Sequence, residues 1–183
     1  MLAATSSAEP PAAGVPVLWG NQVLPYVAPD TRFQEVTAGA EHNLGLLENG
    51  TVIAWGSNAF GQSTVPEELT RIIAIAAGGF HSLALREDGQ VVVWGDREQN
   101  FNSAVPSLDK VKAIAAGGWH SLALTQHGTV VAWGYNWSGQ ATVPEGLNEV
   151  IAIAAGGDHS LALRKDGTVV AWGWNNYGQA AVP

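Results

Sequence analysis

The sequence predicts an all-β chain. It is read as a β-propeller of four-stranded antiparallel blades, about four and a half of them, forming an open arc or part of a larger ring. Three observations predict this. "AAGGFHSLAL" (Ala76 to Leu85), "AAGGWHSLAL" (Ala115 to Leu124) and "AAGGDHSLAL" (Ala154 to Leu163) recur with a period of 39 residues. Apolar residues alternate with small or polar ones at period two, the pattern of a half-buried strand. Each unit then carries a turn dipeptide, a Trp-Gly pair and a closing proline, and tandem units of about 40 residues with several short strands are propeller blades.

Each element has its own signal. In the last unit "IAIAAGG" is a first strand and "HSLAL" a second. "DG" at Asp166-Gly167 separates the second from "TVVAWG", a third. Asn49-Gly50, Asp88-Gly89 and His127-Gly128 are its equivalents. Such dipeptides between alternating runs read as tight hairpins with positive φ at both turn residues. "QAAVP" is a short fourth strand, ended by Pro183 as Pro144, Pro106 and Pro66 end the others. The Ala-Ala-Gly-Gly run fits where blades crowd near an axis. Trp94, Trp133 and Trp172 fill the wider space further out. Trp-Gly pairs at Trp19 and Trp55 extend the series, and "TAGAEHNLGL" (Thr37 to Leu46) is a degenerate copy of the decapeptide. The domain therefore runs over residues 15–183. Residues 1–14, small, polar and Pro-rich, are expected to be a disordered tail.

Composition excludes several functions. Net charge is −8 with only eight Lys and Arg, so no basic face for nucleic acid can be assembled. Every apolar run is interrupted before it reaches membrane-spanning length, so no direct membrane insertion is expected. Cysteine is absent, which removes thiol nucleophiles and thiolate metal sites. "SSA" before Glu9 is a small-residue pattern that favours an extracellular or periplasmic setting.

The ordered pattern Gly-Gly-x-His-Ser-Leu-Ala-Leu, Asp-Gly, Trp-Gly and Gly-Gln resembles the regulator of chromosome condensation repeat. The 39-residue period is similar to the compact bacterial version of that repeat, found in the propeller-type β-lactamase inhibitor protein. The resemblance implies a propeller that binds other proteins. Two units depart from it. "GDREQNFNSAVP" from Gly95 and "WGNQVLPYVAP" from Trp19 lack Gly-Gln.

No catalytic residue is assigned. His42, His81, His120 and His159 hold the same position in every unit, whereas a catalytic site needs different groups converging on one point. They are read as architectural, each bonding a neighbouring turn. No metal site and no cofactor are expected. Asp158 is adjacent to His159 and so points to the opposite face of the strand.

The candidate site is a binding face. In an antiparallel meander the loops after the first and third strands lie at one end. Those loops carry Phe80, Trp119 and Asp158 at the variable position of the decapeptide. After Trp-Gly they carry Phe60, Phe101, Tyr135, Trp137, Trp174 and Tyr177. Aromatic rings with little charge are the composition of a protein-binding surface. The opposite end collects mixed charge. The reading is a protein–protein interaction module or assembly subunit, its partner a protein or a larger assembly that completes the ring. The alternative is a carbohydrate-binding or glycan-processing propeller stacking sugars on Trp119, Trp137 and Trp174.

Overall fold

A computed structural model describes residues 17–19, 22–24, 27, 30–95 and 105–183. The proposed tail and Phe101 lie outside these. A two-stranded sheet opens the chain, β1 (Val17–Trp19) with β2 (Gln22–Leu24). Four three-stranded antiparallel meanders follow. The first is β3 (Phe33–Ala38), β4 (His42–Leu47) and β5 (Val52–Gly56). The second is β6 (Ile72–Ala77), β7 (His81–Arg86) and β8 (Val91–Gly95). The third is β9 (Val111–Ala116), β10 (His120–Thr125) and β11 (Val130–Gly134). The last is β12 (Val150–Ala155), β13 (His159–Arg164) and β14 (Val169–Gly173).

Two expectations about local structure need correction. A fourth strand is absent from the described units. Residues 64–66, 142–144 and 181–183 form no ladder. The N–H groups of Thr64, Thr142 and Ala181 turn back to the carbonyls of Gly61, Gly139 and Gly178, and proline supplies no further donor. The hairpins also differ. Positive φ occurs at Gly50, Gly89, Gly128 and Gly167 but not at the residue before each glycine. Asn49, Asp88 and Asp166 instead accept a hydrogen bond through Oδ1 from the N–H two residues on, at 3.0 Å each. Their side chains hold an ordinary turn, and glycine alone takes the left-handed bulge position.

The period-two pattern gives every blade two distinct faces. In β4, β7 and β10 the His and both Leu point forward, toward the next blade. The Ser and Ala of β7, β10 and β13 point backward. Leu44 and Leu46 thus pack against Ile72, Ile75, Ala77, Ala84 and Trp94 of the second blade. Leu83 and Leu85 meet Val111, Ala123 and Trp133, and Leu122 and Leu124 meet Val150, Ala162 and Trp172. All six leucines are fully buried. The core is therefore three inter-blade layers, each buried Leu contributing roughly 2 kcal/mol. β3, β6, β9 and β12 lie side by side in that order around the axis, and the two end strands are not neighbours. The described blades form an arc.

Near the axis the glycine pair is required by contact. The N–H of Gly79 donates to the carbonyl of Gly118 at 3.1 Å, and that of Gly118 to Gly157 at 2.8 Å. A Cβ on Gly79 would lie 2.6 Å from the Gly118 oxygen, and one on Gly118 2.8 Å from the Gly157 oxygen. Neither backbone can yield without breaking that chain of bonds. Gly118→Ala is therefore expected to lower the melting temperature by several degrees, read by circular dichroism. An unchanged melting temperature would show that the axis is loosely packed.

Candidate functional site

The histidines come first, because they position the tips. His42, His81 and His120 each reach into the next blade rather than to a turn, contrary to the sequence expectation. His42 Nε2 lies 2.8 Å from Ser82 Oγ, His81 Nε2 2.9 Å from Ser121 Oγ, and His120 Nε2 2.9 Å from Ser160 Oγ. Ser82 gives its proton to the Gln62 carbonyl at 2.9 Å, and Ser160 to the Gln140 carbonyl at 2.8 Å. A hydroxyl has one proton, so His42 and His120 must donate from Nε2. The imidazoles are held neutral. Burial, reinforced by the neighbouring histidines, pushes His81 down to about 3. Burial takes His120 to about 4, against an upward pull from Asp158.

The same glutamine carbonyls accept a second donor. Trp94 Nε1 donates to Gln62 and Trp172 Nε1 to Gln140, each at 2.9 Å. The glutamine side chain meanwhile closes its own turn, accepting from the Phe60 N–H or the Ser138 N–H through Oε1. Gly-Gln is thus the link between one blade's loop and the next blade's core. Sequence reading noted the dipeptide but missed this role. Its absence also has an effect. The unit at Gly95–Pro106 lacks Gly-Gln, and the indole N–H of Trp133 in the following blade is buried with no partner among the described residues.

The tip face stands on this frame. Phe80 and Trp119, from successive blades, stack with ring centroids 4.0 Å apart and planes 23° apart. Phe60 stands edge-on to both, at 4.9 Å and 5.8 Å. All three rings are half-buried, so they form one patch rather than three separate prongs. Trp137 and Tyr177 project fully, 88% and 85% exposed. Trp174 packs edge-on to Tyr177 at 5.2 Å, and Tyr135 is half-buried with its N–H on the Trp119 carbonyl. Asp158 is half-buried and accepts from Gln140 Nε2 at 3.2 Å. Asn58, Asn136 and Asn175 are exposed and close their own loops, each accepting through Oδ1 the backbone N–H five residues on. The variable position thus runs Glu41, Phe80, Trp119, Asp158 across the four blades, two rings flanked by two acids.

Among the described residues no three His, Asp or Glu side chains gather where a metal would sit, and no helix is long and apolar enough to cross a membrane. A depression of about 240 Å³ opens on the axis. Its lining is the glycine and alanine run of the four blades, without a side chain that could transfer a proton.

Residues 33–62, 72–100, 111–140 and 150–179 match the sequence profile of the regulator of chromosome condensation (RCC1) repeat. The chain belongs to the RCC1 repeat family. Among solved structures it is similar to yeast RCC1 (Prp20), crystallised bound to Kap60, with a TM-score of 0.74 and 26% identity over 87% of this chain and 48% of that one. It is also similar to the ectodomain of the Arabidopsis thaliana receptor kinase ACR4, with a TM-score of 0.69 and 23% identity over 79% of this chain and 51% of that one. Human WBSCR16 aligns at a TM-score of 0.66 and 24% identity, over 88% and 55%. This RCC1-repeat chain spans about half the length of the solved proteins it matches. No curated protein sequence matches it.

Two outcomes follow from the histidine frame. The unfolded chain takes up protons near pH 6.5, whereas His81 and His120 in the folded chain do so only near 3 and 4. Stability should be level above pH 7 and fall as pH drops from 6.5 toward 4, by about 1.4 kcal/mol per pH unit for each such imidazole. Glu35, raised by burial, acts with the opposite sign below its own pKa. Urea unfolding at pH 8, 6, 5 and 4 reads the balance, and a flat profile would contradict neutral buried histidines. The second outcome concerns tryptophan. Trp172→Phe removes a satisfied indole bond and strands the Gln140 carbonyl less fully donated. Trp133→Phe removes an orphan. The former should destabilise by roughly 1 kcal/mol more than the latter, measured by chemical denaturation.

Proposed function

We propose that the chain is a protein-interaction module whose tip face captures a partner segment. The observation that carries this is the Phe60–Phe80–Trp119 patch, three rings from three blades gathered on the loop end beside the exposed Trp137 and Tyr177. Contiguous aromatics partly open to solvent on a rigid scaffold favour binding, because the rings lose little conformational entropy when covered. Phe80, Trp119, Asp158, Phe60, Phe101, Tyr135, Trp137, Trp174 and Tyr177 are the proposed contact set. Glu41 and Asp158 flank the patch, and the chain carries net charge −8. The partner segment is therefore apolar at its centre and basic at its ends. Membership of the RCC1 family supports the class of function, and yeast RCC1 is itself seen bound to a protein, Kap60.

The family and the absence of converging catalytic groups among the described residues support a non-catalytic role. The glycan reading has one supporting feature, the exposed Trp137. Hydrolysis would further require a pair of facing carboxylates, and among the described residues Asp158 already accepts from Gln140 Nε2.

The test compares quantitative pull-downs from the source organism. Trp119→Ala should reduce partner capture by roughly 30-fold, the effect of truncating a hot-spot ring worth about 2 kcal/mol. A charge change at the opposite end, Glu87→Lys, should leave capture intact. Loss of capture with Glu87→Lys but not with Trp119→Ala would place the site at the wrong end. Binding of a glycan array, abolished by Trp137→Ala, would favour the carbohydrate reading.

A further inference from the structure

The two end faces of the arc carry unmet halves of the same interface. On the forward face of the last blade, Leu161 and Leu163 are partly exposed, whereas Leu44, Leu83 and Leu122 and their partners are buried. His159 Nε2, the Gln179 carbonyl and the Gly157 N–H have no hydrogen-bond partner among the described residues, although their equivalents in the inner blades do. On the backward face of the first blade, Val36 is 65% exposed, while its equivalent Ile75 is buried. Asn43, Trp55 Nε1 and the Ala40 carbonyl likewise have no hydrogen-bond partner there.

These sets are complementary. In the inner interfaces a serine hydroxyl accepts from histidine and donates to the glutamine carbonyl. Asn43 stands at that serine position, and an amide also offers one acceptor and one donor group. Trp55 N–H matches the Gln179 carbonyl, as Trp94 matches Gln62. The Ala40 carbonyl matches the Gly157 N–H, as Gly157 matches Gly118. β2 runs beside β5, so β3 and β4 are left open to a partner.

We propose that a second copy of this chain docks its first blade on the last blade of the first copy, and the reverse. Two arcs then close into one ring. The interface is head-to-tail, and such an interface makes a closed object only if its rotation closes.

Gly157 gives a clean test. A Cβ there meets nothing within 4 Å inside the chain, whereas one on Gly118 collides with the next blade. Gly157→Leu therefore leaves the fold intact and blocks only a docked copy. Val36→Glu does the same on the other face. In light scattering, the chain is expected at twice its monomer mass, and each variant at the monomer mass with an unchanged circular dichroism spectrum. Mixing the two variants should restore a dimer, because one sound forward face then meets one sound backward face. A monomeric parent chain, a dimer indifferent to both variants, or an open-ended polymer would each overturn the proposal. Partner capture through Trp119 is read separately, on the monomeric variants.

Discussion

One carbonyl oxygen organises each complete joint between blades. The Gln62 oxygen takes the Ser82 hydroxyl and the Trp94 indole, and Ser82 in turn takes the His42 ring. A loop of one blade and two strands of the next are thereby fixed to a single point. A single repeat unit cannot bury its hydrophobic faces alone. The blades hold one another, and stability passes from neighbour to neighbour as in other repeat proteins. The glycine pair is the second half of that constraint, since the strands can approach close enough for the carbonyl to be shared only where Cβ atoms are missing.

This joint explains which letters repeat. His, Leu and Leu face forward, Ser, Ala and Trp face backward, and none can change without leaving a cavity or a buried orphan group. The residue between the glycine pair and the histidine is under neither demand. It sits on the loop beyond the ladder, so Glu41, Phe80, Trp119 and Asp158 can each serve contact with something else. The two ends of the blades differ for the same reason. The hairpin end closes on itself through Asn49, Asp88 and Asp166 and through exposed pairs such as Arg164 with Asp166 at 3.4 Å, worth little to stability.

Much of this was legible in the sequence because it repeats. The blade order, the small-residue axis and the tip location of Phe80, Trp119, Trp137 and Tyr177 all follow from period and alternation. What was not legible lies in contacts between units. Period two shows that His42 and Leu44 share a face, but not that the ring reaches the following unit's serine. Asn49-Gly50 and Asp88-Gly89 suit two turn families, and the Asx bond that decides between them is a side-chain event. The positive φ of Arg71, Lys110 and Glu149 has no residue signal at all, since none is a glycine or an asparagine. The mutual stacking of Phe80 and Trp119 was hidden too, because it joins residues 39 apart that touch only once the blades are seated.

The joint is also directional, and that limits what the scaffold can present. His42, His81 and His120 point forward and Ser82, Ser121 and Ser160 backward, so blades stack in one sense only. The inner blades bury both faces against neighbours, which leaves the loop tips and the ends of the arc as surfaces the joints do not occupy. These two surfaces differ in kind. The ends carry strand hydrogen-bonding groups and aliphatic residues, which on the proposed reading suit another blade of matching pattern. The tips carry aromatic rings on loops already fixed by the Gln62 and Gln140 turns, which on the proposed reading suit a segment of unrelated shape. Neither Phe80 nor Trp119 is one of the histidine, serine, glutamine and tryptophan residues whose hydrogen bonds join the described blades, so on the proposed reading the partner can vary while those residues stay fixed.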